Sequence, residues 1–176
     1  MQLPLIYYGN PILRKKTAQV TEITDEIRTL VRNMIDTVKA NPSWGIAAPQ
    51  VGRSLAIFVA HAPTFDQEGH FVSDGPLRVF INPRLTNPSN ELWIHSESCM
   101  SIPKLSGNVA RPISITITAQ DIDGKEFTEH REGWPARVVM HENDHINGVL
   151  YIDRVPPQER KKLEPKLIAI KKQYNS

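Results

Sequence analysis

The chain has almost no cysteine, no long apolar run and little net charge, and each shortage excludes a class of protein. Cys99 is the one cysteine among 176 residues, so no internal disulfide can form; this fits a reducing compartment and leaves a thiol free for ligation or chemistry. No apolar stretch approaches the roughly 18 residues of a membrane span. The opening MQLPLIYYGNP, broken by Pro4, lacks the charged start and continuous apolar stretch of a secretory leader. A cytoplasmic protein with no membrane partner is expected. A net charge of +2 is too small to argue for DNA or another nucleic acid as a partner. Repeats, low-complexity tracts and Ser/Gly-rich linkers are also missing, so residues 1–176 are expected to form a single domain, long enough to bury a core without staples.

The charge that is present gathers at one end. From about residue 157 to 176 a basic helical tail is expected, with Arg154 just before it and Arg160, Lys161, Lys162, Lys166, Lys171 and Lys172 within it, against Glu159 and Glu164. Such a run reads as a solvated helix face, or else as a docking surface for an acidic partner. Pro165 should kink this helix or split it in two. Near the other end, Ile27, Leu30, Val31, Met34, Ile35 and Val38 recur at three- and four-residue steps behind Thr24, which predicts an amphipathic helix stopped by Asn41 and Pro42.

SLAIFVAHA and LRVFINP read as strands. In ARPISITITAQDIDGKEFTEH, Ile113, Ile115, Ile117 and Ala119 alternate with polar residues, and Asp123-Gly124 signals a hairpin turn. The expected class is therefore α+β, with antiparallel sheets packed around a central helix and helices near both ends.

That central helix, starting near Trp134-Pro135 and closing at Asn147-Gly148, carries HENDH, with His141 and His145 four positions apart around Glu142. Two imidazoles one helical turn apart can reach a single ion about 2.0 to 2.1 Å from each nitrogen, with the carboxylate alongside to reach a water on it. The extended metalloprotease signature would place a third histidine where Tyr151 stands, so another ligand must come from a distance. His61, His70, His95, His130 and Cys99 are the candidates, along with many carboxylates. Cys99 is the strongest, because a thiolate suits a softer metal better than a carboxylate; its segment ESCMSIP reads as a turn just before the hairpin strands.

Read together, SWGIAAPQV (43–51), ESCMS (97–101) and HENDH (141–145) resemble the ordered motifs GxGΦAAxQ, EGCΦS and HExDH of the peptide deformylases, and YGNPILRKKT resembles that family's opening. The resemblance implies that Cys99, His141 and His145 hold one divalent metal ion, ferrous iron (Fe2+) in the cell, with zinc, nickel or cobalt possible after purification. It implies Glu142 as general base and then general acid, and the Gln50 amide with the main-chain N–H of Met100 as donors to the oxyanion. The implied substrate is a peptide beginning with N-formylmethionine, lying as an added strand beside Trp44, Gly45 and Ile46. Ile46, Trp134 and Val138 are the candidate walls of its side-chain pocket. A ribosome contact through the basic tail is implied too.

Three positions depart from the family pattern: Ser43 and Ser98 replace glycines, and Met140 replaces the glutamine before the first histidine. A serine forced to positive φ would cost on the order of 1 kcal/mol, and loss of a polar neighbour of a ligand can weaken metal binding or activity roughly 10- to 100-fold. A rate or metal affinity below the family norm is therefore expected, and the bulk of Trp44 is expected to narrow the pocket mouth. Glu97 is expected to pair with Arg111. The alternatives are an HExxH peptidase that cleaves unmodified peptides, and a metal-binding interaction module without turnover.

Overall fold

A computed structural model of the chain describes residues 1–174. Helix α1, Asp25–Lys39, starts where the Thr24 hydroxyl accepts from the Ile27 N–H, with Asp25 and Glu26 favourably placed in the first turn. Leu30, Val31, Met34 and Val38 make its buried stripe. Strands β1 (Gly45–Ala47), β2 (Ile57–His61), β5 (Leu77–Thr86), β8 (Ser114–Gln120) and β9 (Glu126–Glu132) follow one another across a five-stranded sheet. Every pairing in it is antiparallel.

Strand β2 shows why both sheet faces are covered. Its side chains alternate, so Phe58 and Ala60 enter one core with Phe80, Ile115 and Ile117, while Ile57 and Val59 enter another with the stripe of α1. The first of these cores is closed by helix α2, Trp134–Ile146, through Ala136, Val138, Val139, Met140 and Ile146. Nine of the thirteen residues of α2 are buried, which makes it the central helix that the motif led us to expect. It begins after Gly133 with Pro135 in its first turn and stops at Gly148, whose φ is 73°. A Cβ on Gly148 would lie 2.6 Å from the Arg14 carbonyl oxygen, so the chain can pass there only with glycine.

Outside the main sheet, β3 (Thr64–Phe65) pairs with β4 (Phe71–Ser73), and β6 (Leu92–Cys99) pairs with β7 (Ile102–Pro112). The β6–β7 ribbon places the turn expected in ESCMSIP at Met100 and Ser101, but corrects its position: it joins two strands rather than preceding them, and Cys99 is the last residue of the first. A third core lies under the ribbon, where Ile102, Leu105 and Val109 meet Tyr151, Ile152 and Val155 and the residues Leu167 and Ile170 of helix α3, Pro157–Tyr174. Pro165 does not split α3. Both Pro165 and Lys161, the residue four before it, are exposed, so water can take the carbonyl that proline leaves without a donor. Asn175 and Ser176 of the expected tail lie outside the described residues. Among the described residues, no helix is long and apolar enough to cross a membrane.

Candidate active site

Helix α2 stacks His141 and His145 one turn apart, ring centroids 5.1 Å from each other, and the end of β6 brings Cys99 across to them. The Cys99 Sγ lies 3.3 Å from His145 Nε2, and one ligand atom from each of the three residues falls within 4.8 Å of the others. Ligands at tetrahedral angles, about 2.0 to 2.3 Å from a shared ion, stand on the order of 3.5 Å apart, so this donor set fits a small divalent metal. Of the other histidines considered, none joins them. His61 bonds the Gly75 carbonyl, His95 packs on Trp134, His130 lies on β9, and His70 belongs to an exposed group with Asp66 and Glu68.

Behind Cys99, His141 and His145 lies a chain of charges, buried except for Arg154 at its outer end. His141 Nδ1 is 2.9 Å from Glu97 Oε2, which leaves Nε2 as the nitrogen free to ligate and fixes the ring's tilt. Arg111 grips both oxygens of Glu97, at 2.6 and 2.9 Å, and reaches Asp144 at 2.9 Å. Arg137 adds a bond of 2.6 Å to Glu97, while Arg154 holds both oxygens of Asp144. The expected Glu97–Arg111 pair is therefore present, but the bond from Glu97 to His141 was missed. The signal was in the sequence: Glu97 and Cys99 are two apart on a strand and share a face, and Arg137 is four residues before His141 on the helix.

Burial opposes ionisation of Glu97, yet bonds from Arg111 and His141 hold its carboxyl well below the usual range. Glu142 has no such cation in contact. Desolvation lifts it to about 7, against the pull of His141, and its Oε2 is buried without a hydrogen-bond partner. Burial pushes His145 down, as does the neighbouring His141, whereas His141 rises, despite burial, through Cys99 and Glu97. His145 Nδ1 is also buried and unpaired.

Gln50 is buried on the other side of the thiol. Its Oε1 accepts from the Ala47 N–H at 2.8 Å, which orients the amide so that Nε2 faces Cys99 Sγ at 3.4 Å and Ser101 Oγ at 3.3 Å. Glu142 packs over Gly45, where a Cβ would stand 2.6 Å from its Oε1. Only glycine admits the carboxylate at that depth.

These groups open on a cavity of about 370 Å³ lined by Trp44, Gly45, Gln50, Cys99, Met100, Trp134, Val138, His141 and Glu142, among others. Ile46 is an exception among the predicted walls. It is fully buried in the core against α1 and does not line the cavity, because alternation along β1 turns it to the opposite sheet face from Gly45. At the mouth, Trp44 meets Trp134 at 5.4 Å and Phe65 and Phe71 at 6.1 Å each, and its Nε1 donates to Asp74. The hairpin rings were not anticipated as part of the site.

The family model described as polypeptide deformylase matches residues 2–161. The chain belongs to the polypeptide deformylase family. A peptide deformylase of Pseudothermotoga lettingae is 38% identical over 94% of this chain and 90% of its own length, and one of Christiangramia forsetii is 36% identical over 98% and 91%. Among solved structures, peptide deformylase from Plasmodium falciparum superposes with a TM-score of 0.86 at 33% identity, covering 98% of this chain and 97% of that one. Polypeptide deformylases are metal-dependent hydrolases, so the chain is an enzyme and the Cys99, His141 and His145 cluster is its candidate metal site. The peptidase and interaction-module alternatives are not favoured.

All three departures from the deformylase pattern look different in three dimensions. Neither Ser43 nor Ser98 is among the residues with positive φ, so serine carries no backbone strain there. Met140 turns into the core beside Phe58 and Val139, where a thioether fills space and a polar group would need a partner.

Proposed function

We propose that this enzyme removes the formyl group from peptides that begin with N-formylmethionine, as a single catalytic domain in the cytoplasm. The observation that carries the proposal is the convergence of the three ligand atoms, Glu142 and the Gln50 amide on one cavity. Cys99, His141 and His145 would hold the divalent ion, which when bound would supply Lewis acidity and make water acidic enough to act as a nucleophile near neutral pH. Glu142, whose Oε2 has no other partner, takes the proton from the attacking water and passes it to the departing amine. The C–N bond of the formamide breaks, leaving formate and a free amino terminus. Gln50 Nε2 and the main-chain N–H of Met100 offset the charge that develops on the formyl oxygen. Glu97 acts through His141, holding its ring.

The peptide backbone lies beside Trp44 and Gly45, and the methionine side chain enters between Trp44, Trp134 and Val138, where a thioether gains from ring contacts. The resident ion is ferrous iron in the cell, with zinc, nickel or cobalt as substitutes. The exposed lysines of α3, Lys161, Lys162, Lys166, Lys171 and Lys172, contact the ribosome, whose RNA supplies the opposite charge.

Anaerobically purified protein is expected to carry one metal ion per chain, release formate from formyl-Met-Ala and leave unmodified peptides whole. Metal-loaded protein that releases no formate would overturn the assignment. Cosedimentation with ribosomes should be salt-sensitive and disappear when the exposed Lys161, Lys162, Lys166 and Lys172 are changed to Glu, which leaves Leu167 and Ile170 in the core; equal binding by that variant removes the ribosome contact.

A further inference from the structure

The edge of the sheet beside the cavity is already hydrogen-bonded by the chain itself. Strand β1 is outermost, with β2 on one side only. The Trp44 carbonyl accepts from the His61 N–H, and Gly45 lies opposite Ala60, so alternation along an antiparallel ladder turns both main-chain groups of Gly45 off the sheet. An added strand would pair with those two groups. Both are taken: the Ser43 hydroxyl donates to the Gly45 carbonyl at 2.8 Å and accepts from the Gly45 N–H at 3.3 Å. The next outward donor, the Ala47 N–H, is held by Gln50. Ser43 and Gly45 both line the cavity.

We infer that Ser43 is a specificity-determining residue whose hydroxyl stands in for a peptide backbone at Gly45, so that a substrate must displace it before its own main chain can pair there. The inference rests on the deformylase reading for the identity of the peptide. One hydroxyl bonds a donor and an acceptor that an extended peptide would bond with two groups of its own. Binding therefore exchanges hydrogen bonds for hydrogen bonds, and the net gain from the backbone is small. A formylated residue with no peptide beyond it makes less use of the edge and loses less to the exchange. The serine thus lowers the advantage of longer peptides over short ones.

The test compares the parent enzyme with Ser43→Ala, which deletes the hydroxyl, and Ser43→Thr, which keeps it on a stiffer side chain. Two readouts are taken: kcat and KM for formyl-Met-Ala-Ser and for formyl-methionine, and the inhibition constant of acetyl-Met-Ala-Ser as a competitor. With one net hydrogen bond at stake, Ser43→Ala should lower KM and the inhibition constant for the tripeptides roughly three- to tenfold, with a change of less than about twofold for formyl-methionine. In Ser43→Thr the tripeptide constants should stay near those of the parent. Unchanged or weaker tripeptide binding in Ser43→Ala, or an equal gain for formyl-methionine, would overturn the inference. A parent that binds the acetyl peptide but forms no formate with any substrate would instead sink the deformylase reading, and the inhibition constants would still decide the role of Ser43.

Discussion

The floor of the cavity and its mouth are built on opposite principles. At the floor, Arg111 and Glu97 are almost fully buried, and each is bonded to more than one opposite charge, with His141 at the end of the chain. At the mouth, Trp44 and Trp134 are steadied by rings from a two-stranded hairpin that pairs with no other strand and leaves Phe71 52% exposed. Removing one member of a dry charge network strands the others in a place water cannot repair. Removing a ring from the mouth opens a gap that solvent fills. The floor is therefore the intolerant half of the site, and the mouth is the half free to vary.

The largest expected effect falls on the thiol that the floor's last imidazole faces. Cys99→Ala should abolish formate release and lower bound metal well below one ion per chain, as should a chelator, with activity returning when metal is restored. Retention of both by the variant would show that the sulfur is not a ligand.

Arg111→Met comes next. It leaves Glu97 and Asp144 facing each other's charge with fewer partners, and a loss of about 3–5 kcal/mol in denaturant unfolding is expected. Glu97→Gln keeps the shape but weakens the hold on His141, so metal affinity should drop roughly 10- to 100-fold. A mild effect from both changes would erase the contrast between floor and mouth.

Phe71→Ala tests the mouth, with an expected stability loss of about 1 kcal/mol or less, read by thermal melting, and a larger change in KM than in kcat. If it destabilises as much as Arg111→Met, the hairpin is part of the fold and not an adjustable rim. The smallest effects belong to Ser98→Gly and Met140→Gln. Because Ser98 has ordinary backbone geometry and Met140 faces the core, neither should raise turnover or metal retention by more than about twofold; Met140→Gln should cost stability by burying an amide. Improved turnover would restore the expectation that these positions impair the site.

Local signals read well and distant ones poorly. Helix α1 was legible from its cap and stripe, and the β8–β9 hairpin from alternation and Asp123-Gly124, because both are periodic patterns within one segment. The β6–β7 ribbon was not legible. Leu92, Ile94 and Ser96 on its outer face are exposed, so WIHSESC shows no clean contrast between faces until Glu97 and Cys99 are seen to point at α2. Ile46 was misplaced for a related reason: a motif names which residues occur together, while strand parity decides which face each one takes. Pro165 shows a further limit, since the cost of proline in a helix depends on whether water can reach the carbonyl it frees.

The sequence by itself determined the family, the class of fold and the three residues of the candidate metal site, because residue chemistry and the order of motifs along the chain survive without coordinates. Only the tertiary structure decided what surrounds them: that Glu97 carries His141, that two arginines and an aspartate complete a buried network, that hairpin rings form the rim, and that the Ser43 hydroxyl, from the loop before β1, occupies that strand's free edge. Such contacts join residues tens of positions apart, and their energies depend on burial and on the angle between side chains, which no spacing along the chain records.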